Sequence, residues 1–176
     1  MLVISSPRLL LRTLTAAEAE RLLAADPGRF AEGYPSAFAA EVLRLVALYP
    51  VTDHPVDDST AELGPWLVLR RTDDALLGVV SCARTTDPSA VTVGYDIAPS
   101  CWGRGYATEA LASVADHLLG VPGLARVCAD APVEHLASRR VMEKVGMGWQ
   151  RDDVELVDGR EVKLAHYALE RAEPAR

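Results

Sequence analysis

The chain has 176 residues, of which 49% are hydrophobic and 24% charged, and its formal net charge is −7. These values are typical of a single globular domain large enough to bury its own core. The acidic balance disfavours a nucleic-acid partner and favours a cationic or amine substrate. No apolar run approaches the roughly 20 residues of a membrane span, so we expect no membrane association.

The cysteines and histidines argue against a metal site. Cys82, Cys101 and Cys128 are odd in number and show no Cys-x-x-Cys spacing, and the four histidines show no ligand spacing. This pattern argues against a disulfide framework or bound zinc and fits a reducing compartment. The start of the chain lacks a basic region followed by an apolar signal core. We therefore expect a cytoplasmic protein without a metal.

The first third of the chain predicts a strand, two helices and a loop. Residues 9–14 have a strand pattern, and Thr15 with Glu18 forms a capping box that opens a helix ending near residue 25. A second helix is predicted over residues 36–48, because its apolar side chains recur on one face. Pro and Asp residues predict a loop over 51–60, which either connects these elements or covers a substrate groove.

Three strands are predicted next, over residues 66–71, 76–83 and 91–98. The short gaps between them suit hairpin turns, so these strands are expected to be antiparallel neighbours. Alternation along the third strand separates two faces. The apolar face carries Val91, Val93, Tyr95 and Ile97, and the other carries Thr92, Gly94 and Asp96.

The last part of the chain alternates again between helix and strand. The predicted elements are a helix ending at Gly120, a strand over 125–131, a helix over 134–145 closed by Gly146, and a hairpin of strands 147–154 and 161–169 about Asp158-Gly159. The strand over 125–131 is expected to run parallel to the strand before it, because a helix connects them. Residues 1–171 are predicted to form one domain, and residues 172–176 a frayed tail.

A glycine-bearing turn joins the strand over 91–98 to the next helix. Gly103 and Gly105 lie where backbone can approach a ligand, and the first helical amides converge there at the positive end of the helix dipole. Such a turn predicts a phosphate site. The nucleotide P-loop is excluded because no Gly-Lys-Ser or Gly-Lys-Thr follows, and the dinucleotide fingerprint because Thr108 replaces its third glycine. A tight turn without a ligand is the remaining alternative.

Two sequence blocks, residues 102–110 (Trp-Gly-Arg-Gly-Tyr-Ala-Thr-Glu-Ala) and 135–147, extend this motif. The first resembles the acetyl-CoA pyrophosphate loop of the GCN5-related N-acetyltransferases, in the branch that acetylates ribosomal-protein N-termini. The second is similar to that family's Asn-x-x-Ser-x-x-x-x-x-Lys-x-Gly-Phe pattern. Residues 6–12 also resemble the first strand of this branch, so the resemblance spans nearly the whole chain.

The resemblance implies an α/β (α+β) acyltransferase fold with a mixed sheet of six or seven strands and helices on both faces. The fourth and fifth strands would part at one end to admit the pantetheine arm of coenzyme A. The cofactor-binding residues that the family pattern implies are Ile97, Ala98, Gly103, Arg104, Gly105, Ala107, Thr108, His135 and Ser138. His135 departs from the family's Asn, and it either binds the coenzyme or points into solvent. Trp102 is expected to pack at the base of the loop.

Amide formation requires a proton acceptor for the amine and a donor for the departing sulfur. Ser138 matches the family's serine and shares a helical stripe with Val141, so it is the predicted donor, with a purely structural helix role as the alternative. Asp96 is the predicted base, and a salt-bridged or solvent-facing aspartate is the alternative. Glu109, in the first turn of its helix, is expected to stabilise that helix.

These observations predict a cytoplasmic acetyl-CoA-dependent N-acetyltransferase. The acceptor would be a primary amine on a protein N-terminus or on a small molecule such as an antibiotic or a polyamine. A noncatalytic acyl-CoA-binding or sensing module is the alternative, as is an enzyme that uses a longer acyl group such as succinyl. Both a monomer and a homodimer are compatible with the sequence.

Overall fold

The computed structural model describes residues 2–13, 63–157 and 159–172. These residues form one sheet of eight strands, in the order β1-β2-β3-β4-β5-β6-β8-β7. The strands are β1 (Val3–Ser5), β2 (Leu9–Thr13), β3 (Trp66–Arg70), β4 (Leu76–Arg84), β5 (Ala90–Ile97), β6 (Arg126–Pro132), β7 (Gly148–Val157) and β8 (Arg160–Glu170). The two described α-helices are α1 (Tyr106–Gly120) and α2 (Leu136–Val145). The predicted mixed α/β architecture is confirmed, with eight strands where six or seven were predicted.

The additional strand is β1, at the edge of the sheet. It pairs antiparallel with β2, so that Val3 lies opposite Arg12 and Ser5 opposite Leu10. The strand has three residues, and both Val3 and Ser5 are exposed. Such a segment is too short to show the alternation from which a strand is predicted. Its pairing makes the N-terminus a hairpin with a turn at residues 6–8.

The strands β3 to β5 form an antiparallel meander, as predicted, and β2 extends it by pairing antiparallel with β3. Their bounds agree with the predicted strands to within one residue. On β5, Val91, Val93 and Ile97 are buried, whereas Thr92 and Asp96 are half-buried. The predicted division of this strand into an apolar and a more polar face is therefore confirmed.

Helix α1 connects β5 to β6, and those two strands run parallel, as predicted. The buried stripe of α1 consists of Ala110, Leu111, Val114, Ala115 and Leu118. These positions recur at helical spacing, so one face of α1 packs into the core. The helix ends at Gly120, the residue predicted for its end.

Helix α2 begins at Leu136, two residues later than predicted, because His135 precedes the first helical turn. Gly146 ends the helix in the left-handed conformation, with φ of 92°. The final hairpin is longer than predicted, since its pairing extends from Gly148 opposite Ala168 to Val157 opposite Arg160.

The strands β5 and β6 part after three residue pairs. Their parallel pairing ends at Thr92 opposite Cys128. Beyond that pair, β5 stays joined to β4 as far as Ile97, and β6 stays joined to β8 as far as Pro132. The predicted splay between these two strands is confirmed by this register.

Both described helices lie on one face of the sheet. Val80 is the cross-strand partner of both Trp66 and Tyr95, so the three side chains share a face. The Trp66 ring lies 6.1 Å from the ring of His117 on α1. The Tyr95 hydroxyl reaches Ser138 on α2. The face that carries Tyr95 is therefore the one on which α1 and α2 pack.

The opposite face is buried as well, since Leu67 and Val79 are almost fully inaccessible. The helices predicted over 15–25 and 36–48, the loop over 51–60 and most of the predicted tail lie outside the described residues. Within the part of the chain that is described, neither helix has the length and apolar character needed to cross a membrane.

Candidate functional site

A cleft of about 370 Å³ lies beside the parted end of β5, between the start of α1 and helix α2. It is lined by Tyr95, Asp96, Ile97, Cys101, Trp102, Gly103, Gly105, Tyr106, Ala107, Thr108, His135, Ala137, Ser138, Arg140, Val141 and Lys144. Most of the predicted site residues meet here. Of the predicted site residues, all of which are described, only Ala98 and Arg104 do not line the cleft.

Gly103 and Gly105 determine the path of the loop before α1. Their φ angles are 72° and 78°, in the left-handed region that residues with a side chain rarely adopt. A Cβ added to Gly103 would meet no described atom within 4 Å, so the backbone conformation rather than crowding requires glycine there. At Gly105 an added Cβ would lie 3.4 Å from Nη2 of Arg8. Both glycines are needed for the shape of this loop.

The first amides of α1 belong to residues that line the cleft. The first backbone bond of the helix is donated by the amide of Glu109 to the carbonyl of Gly105, at 3.0 Å. The amides of residues 106–108 precede that bond, and all three residues line the cleft. They lie at the positive end of the helix dipole. This geometry suits a phosphate group, as the sequence predicts.

Arg8, in the turn between β1 and β2, holds this loop from the other side. Its Nε donates to Oε2 of Glu109 at 2.6 Å, and its Nη1 donates to the carbonyl of Arg104 at 2.8 Å. The Arg8 amide and the Ser6 hydroxyl donate to Oε1 of Glu109 at 2.8 and 2.7 Å. The guanidinium also lies 4.6 Å from the ring centroid of Tyr106. We call these contacts the Arg8–Glu109 clamp.

The carboxyl group of Glu109 is ionised within this clamp. Burial by itself raises its pKa, but the hydrogen bonds from Ser6 and Arg8 outweigh that effect and leave the pKa below its ordinary value. Its side chain is 14% exposed, whereas that of Arg8 is 48% exposed. Glu109 thus joins the loop to the N-terminal hairpin, in addition to its expected place in the first turn of the helix.

The main chain at the end of β5 differs from the prediction at Ala98. The Ala98 amide donates to the carbonyl of Leu77 at 2.7 Å, so this amide belongs to the sheet and is not open to a ligand. Bonding and non-bonding pairs alternate along an antiparallel ladder, so the amides and carbonyls of Tyr95 and Ile97 point away from β4. Tyr95 therefore replaces Ala98, beside Ile97, as a main-chain binding candidate.

Trp102 is not the packing residue that the sequence suggests. Its side chain is 65% exposed. The indole N–H donates to the carbonyl of Ile97 at 2.5 Å. Trp102 thus hydrogen-bonds to the end of β5 and lines the cleft on its solvent-exposed side.

Ser138 faces the cleft from α2, in contact with Tyr95. The Tyr95 hydroxyl lies 2.7 Å from Oγ of Ser138 and donates to the Ser138 carbonyl at 2.9 Å. Burial raises the pKa of the Tyr95 phenol, and the hydrogen bond with Ser138 opposes that effect only in part. Two neutral hydroxyl groups therefore lie together in the cleft. The sequence alone assigns Tyr95 only to the apolar face of this strand.

Asp96 lines the cleft from the other face of β5. Its cross-strand partner is Val79, whereas that of the neighbouring Tyr95 is Val80. Because side chains alternate along a strand, Asp96 and Tyr95 point to opposite faces. The predicted base and the predicted donor thus approach the parted strands from two sides.

His135 lines the cleft immediately before α2, where its side chain is exposed. Its amide donates to the carbonyl of Pro132 at 2.8 Å, which links the start of α2 to the end of β6. Both alternatives that the sequence leaves open are compatible with this position, because the exposed His135 side chain lines the cleft and also reaches solvent.

Arg140 and Lys144 are cleft residues that the sequence reasoning missed. They lie four residues apart on α2, next to the stripe that contains Val141, and so they project in similar directions. Their charges are opposite in sign to the net charge of −7. A pair of basic side chains at that spacing beside a predicted phosphate loop is the pattern that could have revealed them. Arg104, by contrast, takes part in the clamp through its carbonyl.

The comparisons with known proteins agree with this geometry. A family model described as an acetyltransferase (GNAT) domain matches residues 8–148. The uncharacterized N-acetyltransferase YoaA of Bacillus subtilis is 30% identical over 90 residues, which span 51% of this chain and 50% of that protein. The match thus covers about half the length of this curated relative.

The same fold occurs in solved acetyltransferases. A GNAT-family acetyltransferase from Bacillus anthracis has a TM-score of 0.73 at 18% identity, over 98% of this chain and 100% of that one. RimL, a ribosomal L7/L12 alpha-N-protein acetyltransferase solved with coenzyme A, has a TM-score of 0.71 at 17% identity, over 96% and 98%. The family model covers the loop and both helices that build the cleft. The chain therefore belongs to the GNAT acetyltransferase family.

Proposed function

We propose that this protein transfers an acetyl group from acetyl-CoA to a primary amine by direct attack in a ternary complex. The observation that carries the proposal is the meeting, in one cleft, of the glycine loop and the Tyr95–Ser138 hydroxyl pair. A phosphate loop alone suits many nucleotides. The hydroxyl pair beside the parted strands adds a hydrogen-bond donor for the reacting end of a long, phosphate-bearing molecule.

The described residues offer binding partners for two parts of coenzyme A, the diphosphate and the pantetheine arm. The loop from Gly103 to Thr108 would hold the diphosphate, and the nearby charges of Arg140 and Lys144 favour an anion. The amides of Tyr95 and Ile97 and the carbonyl of Tyr95 point toward the parted strands, where an amide-containing arm could bond. The Ile97 carbonyl already accepts a hydrogen bond from the Trp102 indole. Bound acetyl-CoA supplies an acetyl thioester that an amine can attack.

The chemistry is divided between the two faces of β5. A primary amine is protonated at neutral pH, so a base must remove a proton before the amine attacks. Asp96 is the candidate for this step, directly or through water, from the face opposite Tyr95. Ser138 would donate a hydrogen bond to the departing sulfur. A main-chain amide near the end of β5 would stabilise the charge that develops on the carbonyl oxygen.

The acceptor is proposed to be an amine on a protein N-terminus or on a small molecule. RimL, which has the same fold, is a ribosomal L7/L12 alpha-N-protein acetyltransferase. The net charge of −7 favours a cationic acceptor over an anionic one. We place the reaction in the cytoplasm, in a monomer or a homodimer.

Release of free thiol from acetyl-CoA, measured with a panel of N-terminal peptides, polyamines and aminoglycosides, tests this proposal. We expect release that depends on the amine. Ser138→Ala should lower kcat about tenfold or more, with less than about twofold change in the dissociation constant of coenzyme A. Thermal protection by acetyl-CoA without thiol release from any amine would indicate a binding module. Faster turnover with succinyl-CoA would indicate a longer acyl group.

A further inference from the structure

The Tyr95 hydroxyl makes two polar contacts with Ser138, so the two residues do more than pack against each other. Tyr95 lies on the part of β5 that no longer pairs with β6, and its hydroxyl contacts α2 within the cleft. It contacts two atoms of the same residue, the hydroxyl of Ser138 at 2.7 Å and its carbonyl at 2.9 Å. Both distances are those of good hydrogen bonds.

Counting hydrogens limits this contact to two arrangements. A phenol and a serine hydroxyl each have one hydrogen, and a carbonyl only accepts. If Tyr95 donates to the Ser138 carbonyl, the 2.7 Å contact must use the hydrogen of Ser138, which then points at Tyr95. If Tyr95 donates to Oγ instead, either alone or in a three-centre bond shared with the carbonyl, the hydrogen of Ser138 is released toward the cleft. Rotation of two hydroxyl groups interconverts the arrangements.

Only the second arrangement lets Ser138 act as a donor in the cleft. We propose that Tyr95 is a positioning residue for Ser138: its phenol donates to Oγ of Ser138 and so directs the serine hydrogen toward the sulfur end of coenzyme A. This inference rests on the proposed function. As the N–C bond forms and the C–S bond breaks, the electron pair goes to sulfur, which accepts the hydrogen bond from Ser138. The base passes the first proton of the ammonium group to water before attack and then accepts the surplus proton of the amine, and the thiolate takes a proton from water after release.

The surroundings of Tyr95 suit this role. Burial raises the pKa of its phenol, so the hydroxyl keeps its hydrogen at neutral and mildly alkaline pH. The phenol is anchored on β5, which pairs with β4 along its length, so its reach to α2 is set by the sheet. A donor that receives a hydrogen bond is itself a stronger donor, because linked hydrogen bonds polarise one another.

The test compares Tyr95→Phe, Ser138→Ala and the double variant. The first readout is the acidity of the coenzyme A thiol in the binary complex, followed through its thiolate absorbance as the pH is raised. A donor aimed at sulfur stabilises the thiolate, so we expect the bound thiol to be about tenfold more acidic in the wild type than in either variant. Turnover with a responsive amine should fall in parallel, about tenfold, with little change in coenzyme A affinity.

Non-additivity separates positioning from a merely structural contribution. If Tyr95 acts through Ser138, the double variant should be no worse than Ser138→Ala alone. Independent effects would instead multiply. Tyr167→Phe is the matched control, because the Tyr167 hydroxyl also contacts α2, at Arg139 and Glu143, but lies outside the lining of the cleft. This control should leave both thiol acidity and kcat unchanged.

Three results would overturn the inference. Wild-type thiol acidity in Tyr95→Phe would remove Tyr95 from this role, and so would multiplicative losses in the double variant. Unchanged acidity in Ser138→Ala would remove the donor through which Tyr95 acts. Failure of the proposed function has a different signature: either coenzyme A does not bind to the wild type, or it binds with the expected thiol acidity and no amine is acetylated.

Discussion

Two helix N-termini contribute residues to the cleft, and they are held in different ways. The start of α1 is fixed by the Arg8–Glu109 clamp, which joins residues 101 positions apart through two ionised side chains. The serine in the first turn of α2 is held by one neutral phenol. Charged, several-point contacts resist rearrangement, whereas two hydroxyl groups can exchange hydrogens at little cost. We therefore propose that the start of α1 is the binding end of the cleft, and that the start of α2 can respond during chemistry.

The largest expected effect comes from the binding end, where Gly105 is in the left-handed conformation. Gly105→Glu should weaken coenzyme A binding at least 100-fold, because a strained backbone and a like charge meet the phosphate site together. Calorimetric titration measures the loss. The control is Gly123→Glu, since Gly123 also has positive φ, at 87°, with no described atom near an added Cβ, and does not line the cleft. Equal affinity losses in both variants would argue against the loop assignment.

A smaller effect on coenzyme A binding is expected from the basic residues of α2 that line the same cleft as the glycine loop. Lys144→Glu should weaken coenzyme A binding about tenfold and reduce its dependence on salt, because an attractive charge becomes repulsive. Titrations at low and high ionic strength provide the measurement. Arg160→Glu makes the same charge change on β8, outside the cleft lining, and should bind normally. A loss that persists undiminished in high salt would show that Lys144 does not act through charge.

The clamp should affect binding without touching the ligand. Arg8 is outside the described lining of the cleft, so Arg8→Met tests whether fixing the loop matters by itself. We expect about a threefold to tenfold loss of coenzyme A affinity, because a looser loop must be ordered on binding. Arg126→Met removes a similar surface ion pair, with Glu170, and is the control. Unchanged affinity in Arg8→Met would mean that the loop keeps its shape unaided.

The smallest effect concerns stability and pH. The pKa of Glu109 is below its ordinary value of 4.5, so its ionised form stabilises the fold above that pH, and the stabilisation declines as the pH falls through the lower folded pKa. Glu109→Gln should therefore lower the free energy of unfolding by about 1 kcal/mol near neutral pH. Urea unfolding should show the difference shrinking below about pH 4. A difference that grows in acid would contradict this sign.

The sequence predicts the parts of this site that depend on neighbouring residues. The strand-to-helix path from β5 to α1 follows from alternation, two glycines and a helical stripe, all within residues 91–120. The Arg8–Glu109 clamp and the Tyr95–Ser138 contact span 101 and 43 positions, and no local pattern encodes them. The engagement of the Ala98 amide is equally non-local, because its bond to Leu77 depends on the register with β4.

The short seam between β5 and β6 has a consequence for the whole sheet. Five strands lie on one side of it and three on the other, and three residue pairs join them within the sheet. An extended ligand bound between the parted strands would add backbone hydrogen bonds where β5 and β6 share only three residue pairs. Ligand binding should therefore stabilise the association of the five-strand and three-strand parts of the sheet, and loss of the ligand should weaken it.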